Sequence, residues 1–423
     1  MTYRKFKADY LFTGREMAEK GAVLVTTEEG RVQDILPAAE AGQDVEHLRG
    51  VLSPGFINCH CHLELSHLKG ALPEKTGMVD FLLAVMQNRN SAGSRADASS
   101  VQPAGSSQTP EFIRIAIADA EASMQQNGIV AVGDICNTTH SLAQKMGNRL
   151  YYHNFIETMG FSEQTAAGRL DQSRVVLDAF TQAYSQAGFP HSERAIPPHS
   201  LVPHAPYSVS PRLFGLIADL PGNHLLTIHN QESEAENEFY RSGQGDFLRL
   251  YQAMGLDTSF WQGTGKRSLE SYLPFFYKKK VDRLILVHNV ATNEEDLLFA
   301  MGGPEGRPDL FFCLCPNANL YIGGKLPDVP LLVRHNCAIV IGTDSLASNH
   351  QLSILEELKT LQELLPELST ATLLQWATSN GAQALQLDGL LGSFVPGKQP
   401  GLVLIEDLEK GRFTAATAAR RIL

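Results

Sequence analysis

Hydrophobic and polar positions divide this chain into two ends of one character and a middle of another. At the start, short apolar runs at residues 6–12, 22–27 and 32–36 are separated by turn residues. Glu29-Gly30 makes the turn into the third run and Pro37 closes it. Short runs bounded in this way read as β-strands. Residues 1–52 are too few to bury a core alone. Near the end, a Gly- and Pro-rich connector at 392–401 leads into the apolar run 402–405. The two pieces, 1–52 and 392–423, are expected to pair into one small β-domain, which brings the chain ends together.

Between them the pattern changes. Eight apolar strand candidates occur, the first at Val51-Leu52 and Phe56-Ile57, the others at 128–134, 149–156, 200–204, 224–229, 283–288, 309–315 and 337–344. Helical periodicity separates them, as at 112–126 and 353–364. Eight strands alternating with helices predict an α/β fold, a (β/α)8 TIM barrel over 53–391. A doubly wound open sheet is the alternative, but no glycine-rich phosphate loop supports it. One stretch departs from the alternation. Residues 91–110 are rich in Ser, Ala, Gly and Pro, with Val101 as their one large apolar residue. They read as a flexible surface insertion, with a lid over the barrel mouth as the functional version.

Composition narrows the field. The chain has 423 residues, 43% hydrophobic, and a formal net charge of -11. An acidic balance without a long basic run argues against nucleic acid as a partner. No apolar run is long enough to span a bilayer, and residues 1–20 hold no signal-like core, so a cytoplasmic location without membrane contact is expected. The six cysteines include no Cys-x-x-Cys, and most lie in apolar runs, which predicts buried free thiols.

The candidate chemistry sits at the strand ends. His60 and His62 are two apart, and in an extended chain such residues point the same way. The first candidate strand ends at this pair, the fourth at His204, the fifth at His229, the sixth at His288 and the eighth at Asp344. A single strand-end histidine is more often structural. In a (β/α)8 barrel all these ends open onto one face, so their recurrence predicts a catalytic metal site.

Five motifs carry a family resemblance: Pro-Gly-Phe-Ile-Asn-x-His-x-His at 54–62, His-Ala-Pro-Tyr-Ser-Val-Ser at 204–210, His-x-x-Glu at 229–232, Val-His at 287–288 and Gly-Thr-Asp-Ser at 342–345. On these the chain resembles the amidohydrolase superfamily, in its deaminase and chlorohydrolase branch, over essentially its whole length, and the resemblance implies that 1–52 and 392–423 form that family's flanking β-sandwich. The resemblance implies His60, His62, His229 and Asp344 as metal ligands. It implies His288 as the residue orienting the attacking water, Glu232 as the proton shuttle, and Asp344 as a further proton acceptor. His204 resembles a substrate contact. Glu64 is read as a contact to a sugar hydroxyl or ring nitrogen, or equally as a partner of a ligand imidazole.

The two-metal form of that family uses a carboxylated lysine after the fourth strand. This chain has no lysine between Lys145 and Lys266, so one divalent ion is expected, Zn²⁺ first, with Fe²⁺ or Mn²⁺ as alternatives. The implied function is a metal-dependent hydrolytic deaminase of an aminated heterocycle, such as an adenine-nucleoside derivative of the aminodeoxyfutalosine or S-adenosylhomocysteine kind. A small-molecule heterocycle is thus the expected partner, and a homodimer is compatible. The alternatives are a chlorohydrolase, another amidohydrolase acting on a non-nucleoside C–N or C–Cl bond, or a silent scaffold. The scaffold should have lost ligands, and none is missing. Cys59 and Cys61 depart from many relatives, and the aromatic and acidic segment that often follows the first strand is short. The substrate pocket is therefore the least transferable part.

Overall fold

A computed structural model describes residues 2–89, 110–187 and 197–423. The insertion expected at 91–110 lies outside the described residues, apart from Pro110.

Strands are numbered in chain order. The terminal segments supply β1 (Tyr3–Leu11), β2 (Val23–Thr27), β3 (Val32–Leu36), β4 (Val45–Pro54), β13 (Leu402–Glu406) and β14 (Ala418–Arg421). They form one six-stranded sheet in the order β14-β13-β4-β1-β2-β3. The two chain ends therefore do meet, through antiparallel pairing of β13 with β4. The described strands pair as a single sheet, so the second layer of the expected sandwich is not among them. Phe6, Leu24, Leu52 and Leu402 bury one face of this sheet in a small core of its own.

The middle of the chain supplies β5 (Phe56–Cys61), β6 (Ile129–Cys136), β7 (Tyr151–Thr158) and β8 (His199–Pro203), then β9 (Leu225–Asn230), β10 (Arg283–His288), β11 (Asp309–Leu314) and β12 (Ala338–Ile341). They form two four-stranded sheets, β5-β6-β7-β8 and β9-β10-β11-β12, parallel throughout. Parallel strands covered on both faces become near-continuous apolar runs, and every residue of β5, β6, β8 and β9 is buried. Backbone hydrogen bonds cross both gaps between the sheets. His229 N donates to the His204 carbonyl at 2.9 Å, and Thr343 N and Asp344 N donate to the His60 carbonyl at 3.0 and 3.1 Å.

Helices cover the sheets, with ends marked by side-chain caps. Ser353 accepts from Glu356 N at the start of Ile354–Leu364. Asn293 and Asp296 form a reciprocal capping box at Glu294–Met301. Two glycines are fixed by close approach. A Cβ on Gly55, between β4 and β5, would lie 2.3 Å from Val130 Cγ1 and 2.8 Å from the Pro400 carbonyl oxygen. A Cβ on Gly342 would lie 2.8 Å from His60 Cβ. Any larger residue there would push the Thr343-Asp344 turn off the His60 strand. All six cysteines are free, five of them buried, as their apolar setting predicts.

Candidate active site

The ends of β5, β9 and β12 bring three imidazoles and a carboxylate to one point. His62 Nε2 lies 3.2 Å from both His60 Nε2 and His229 Nε2. Asp344 Oδ1 lies 3.5 Å from His60 Nε2 and 3.4 Å from His62 Nε2. Four ligand atoms about 2.0–2.1 Å from a tetrahedral zinc-like ion would be separated by about 3.3 Å. The donor set therefore fits a small cation, and His60, His62 and His229 form a group that could hold one.

His229 and Asp344 are held from behind. His229 Nδ1 bonds the His204 carbonyl at 2.8 Å, which leaves Nε2 with the lone pair. Asp344 Oδ2 accepts from the Ser348 hydroxyl at 2.6 Å. Asn58 ties the His-x-His strand to the Asp344 turn, donating to Thr343 Oγ1 at 2.7 Å and accepting from Thr343 N at 3.1 Å. The backbone is strained at the same places. Gln231, His288, Asn289 and Asp344 all have positive φ, between 46° and 75°. Non-glycine residues rarely adopt this conformation, and it concentrates at functional sites.

Burial sets the protonation states. It holds the imidazoles of His60, His62 and His288 well below the ordinary histidine range, and lowers His229 as well. Neutral imidazoles are what a cation requires of its ligands. Burial alone would raise Asp344, but His62, His288 and the Ser348 hydroxyl outweigh it and hold the carboxyl below its usual range.

Glu232 and His288 face each other beside this point. His288 Nε2 is 3.5 Å from Glu232 Oε1, and His288 Nδ1 is 2.9 Å from Asn319 Nδ2. Glu232 is 8% exposed, so it is not a solvated helix-start carboxylate like its neighbour Glu234. Burial first, then Asp344 and Glu236, pushes its carboxyl well above the usual range.

One cavity of about 410 Å³ reaches most of the donor set and the Glu232–His288 couple. His62, His204, His229, Glu232, His288 and Asp344 line its floor, and Met78, Phe81, Val85, Phe161, Leu250 and Met254 line its wall. His204 bonds Ser208 through Nδ1 at 2.6 Å, and burial lowers it to about 4. Glu64 is placed differently. Its Oε1 binds Arg89 at 2.5 Å, and its Oε2 accepts from Asn137 N, Thr138 N and the Thr138 hydroxyl. It lies behind the cavity, while Arg89 and Asn137 line it. Lys145 is fully buried and committed elsewhere, to Asp134 at 2.5 Å and Asn154 at 2.7 Å. Asp134 in turn accepts from Leu63 N at 2.8 Å, one residue past His62.

Residues 51–421 match the Amidohydrolase family. The chain belongs to the amidohydrolase family. Among curated amidohydrolase relatives, it is 27% identical to the aminodeoxyfutalosine deaminase of Nitratiruptor sp. over 374 residues, 87% of this chain and 82% of that one. Among solved structures, Helicobacter pylori aminofutalosine deaminase in complex with methylthio-coformycin superposes with a TM-score of 0.74 at 22% identity, covering 97% and 93% of the two chains. An adenosine deaminase from Xanthomonas campestris with bound zinc superposes with a TM-score of 0.67 at 20% identity, covering 95% and 84%. At these identities the two structures speak for the amidohydrolase fold alone.

Several groups at this amidohydrolase site escape a reading of the sequence: Arg89, Asn137, Glu157, Asn319 and Ser348. For Glu157 a signal exists. It follows Ile156, where the apolar run of the third barrel strand ends, so it sits at a strand end as the histidines do.

Proposed function

We propose that this amidohydrolase is a metal-dependent hydrolytic deaminase of an adenine nucleoside modified at the 5′ position, of the aminodeoxyfutalosine or S-adenosylhomocysteine kind. The observation that carries this reading is the pairing of a four-donor cation site with the Glu232–His288 couple in one cavity. Relatives with deaminase names support the choice of substrate class.

His60, His62, His229 and Asp344 hold one divalent ion, Zn²⁺ by preference. When bound there, such an ion acidifies a water toward neutral pH. His288 orients the attacking oxygen through Nε2, which has no hydrogen-bond partner among the described residues. Glu232 takes one proton from the water and passes it to the ring nitrogen next to the reacting carbon, and the second water proton, held by Asp344, goes to the departing amine. A carboxyl raised by burial can carry that proton near neutral pH. Asp344 accepts the second water proton. His204 faces the ring from the end of β8, and the apolar wall takes the 5′ substituent.

On the same reading, the two parallel sheets are halves of one eight-stranded barrel over 53–391, closed through the His204–His229 and His60–Asp344 backbone bonds, with 1–52 and 392–423 as the flanking domain. The experiment is an ammonia-release assay on metal-replete protein with 5′-modified adenosines, guanine, cytosine, pterins and s-triazines. Turnover of a 5′-modified adenosine supports the proposal. Turnover of chlorinated triazines alone would replace it with a chlorohydrolase.

A further inference from the structure

Two of the four donors, His229 and Asp344, are held through their own side chains, by the His204 carbonyl and the Ser348 hydroxyl. His62 is held differently. It precedes the short helix Leu63–Leu68 without a side-chain capping bond. Among the described residues its ring meets polar atoms only at Nε2, and those atoms are the other donors. The aim of that nitrogen therefore depends on the backbone where β5 ends.

That backbone is pinned by a buried ion pair which the proposed chemistry does not use. Asp134, on the neighbouring strand β6, lies in register with Cys61. Its Oδ1 accepts from Leu63 N at 2.8 Å, and its Oδ2 accepts from Lys145 Nζ at 2.5 Å. Both side chains are fully buried. Lys145 Nζ also donates to Asn154 Oδ1 on β7 at 2.7 Å and to Cys136 Sγ at 3.2 Å. An ammonium has three hydrogens, so each has an acceptor. Asn154 is in register with Asp134 and is itself held, donating to the Pro198 carbonyl at 3.2 Å. The rings of Tyr152 and Phe180 lie 4.9 and 5.2 Å from the ammonium. Neither Asp134 nor Lys145 lines the cavity, so neither reaches a substrate there.

Stability alone does not account for such a pair. Desolvating two charges can cost more than their attraction returns, and apolar residues of similar volume often replace a buried ion pair without loss of stability. What this pair does supply is a fixed acceptor for one backbone N–H, and that N–H belongs to the residue after a metal donor. We propose that Asp134 and Lys145 are positioning residues of the cation site: Lys145 fixes the Asp134 carboxylate, Asp134 fixes the turn after His62, and that turn sets where His62 Nε2 meets the ion. The inference rests on the single-ion reading above and adds to it.

The test measures the zinc dissociation constant by competition with a chelator, at a temperature where the metal-free protein is folded, together with the melting temperature of the metal-free protein. Asp134→Leu combined with Lys145→Met removes both charges and the acceptor. Its zinc affinity should fall on the order of 10–100-fold. Asp134→Asn combined with Lys145→Met keeps an acceptor oxygen for Leu63 N but loses its anchor, and should recover part of that loss. Asn154→Ala frees one side of Nζ. It should weaken zinc binding by a smaller factor, and it serves if the Leu variant does not fold. Phe6→Ala, in the core of the flanking sheet, is the control: it should lower the melting temperature and leave zinc affinity unchanged. Wild-type affinity in the Leu variant, or in Asn154→Ala where that variant stands in, overturns the proposal. So does an Asn variant no tighter than the Leu variant, or an equal loss of affinity in Phe6→Ala. Wild-type protein that binds no zinc overturns the single-ion reading, and this inference with it.

Discussion

The floor and the mouth of the cavity are built on opposite principles. On the floor, His229, His288 and Asp344 come from strand ends, each is at least nine-tenths buried, and each is held by a named partner, the His204 carbonyl, Asn319 and Ser348. At the mouth the lining comes from helices and loops. Met86, Met159, Met254 and Leu256 there are 48%, 37%, 44% and 43% exposed, with no polar group to fix them. A strand end inside a sheet has one backbone position, so its side chain is preorganised for chemistry. Flexible, exposed methionines adapt to whatever apolar group arrives. Reaction type is thus written in the floor and substrate choice largely in the mouth.

The sharpest way to break this contrast is to remove a floor ligand. His229→Ala should lose most of the bound metal and reduce turnover to background, which elemental analysis and an activity assay would check together. Retained metal at wild-type stoichiometry would take His229 out of the donor set. Next in size is Glu232→Gln, nearly isosteric but unable to carry the proton. Turnover should fall by roughly 10²–10⁴-fold with metal content close to normal. A variant near wild-type kcat would remove Glu232 from the proton path.

The pH dependence of the metal-free protein sharpens the same point. His204 is lowered to about 4 from an ordinary 6.5, and His60, His62, His229 and His288 are lowered too, each chiefly by burial. With folded values below unfolded ones, the unfolded chain binds more protons in acid. The stability these groups contribute is present above about pH 6.5 and is lost as pH falls, for His204 through about 4. Melting temperature of the stripped protein should therefore fall steadily between those limits, whereas a flat profile would mean the imidazoles are not buried neutral.

The smallest effect belongs to the mouth. Met254→Ala should raise KM on the order of tenfold for a substrate with an apolar 5′ group, leaving kcat and melting temperature almost unchanged because the side chain is half exposed. An equal fall in kcat would place Met254 in the chemistry.

The same contrast decides what was legible beforehand. Strand ends are a sequence-level signal, so the histidines and Asp344 could be picked out before any fold was known. Glu157 obeys the same rule but lies one residue beyond the apolar run, where the run alone draws no attention to it. Arg89 follows the helix Met78–Asn88 and reaches the cavity only because Glu64 holds it there. No local pattern encodes that long-range contact. In the flanking sheet β4 carries polar residues through its first half, Glu46, His47 and Arg49 among them. It is a strand because β1 and β13 pair with it on either side, a tertiary cause that periodicity does not record. The second layer of a sandwich is implied by family likeness alone and by no run of residues, and the described terminal strands form one sheet.

The central claim is that four floor donors hold a single ion on which deamination depends. Adding Zn²⁺ back to stripped protein while following ammonia release from 5′-deoxyadenosine tests it most directly. The account predicts no release without metal, then a rise that levels off at about one equivalent per chain. Full activity in the stripped protein, or a plateau reached only at two equivalents, would contradict it.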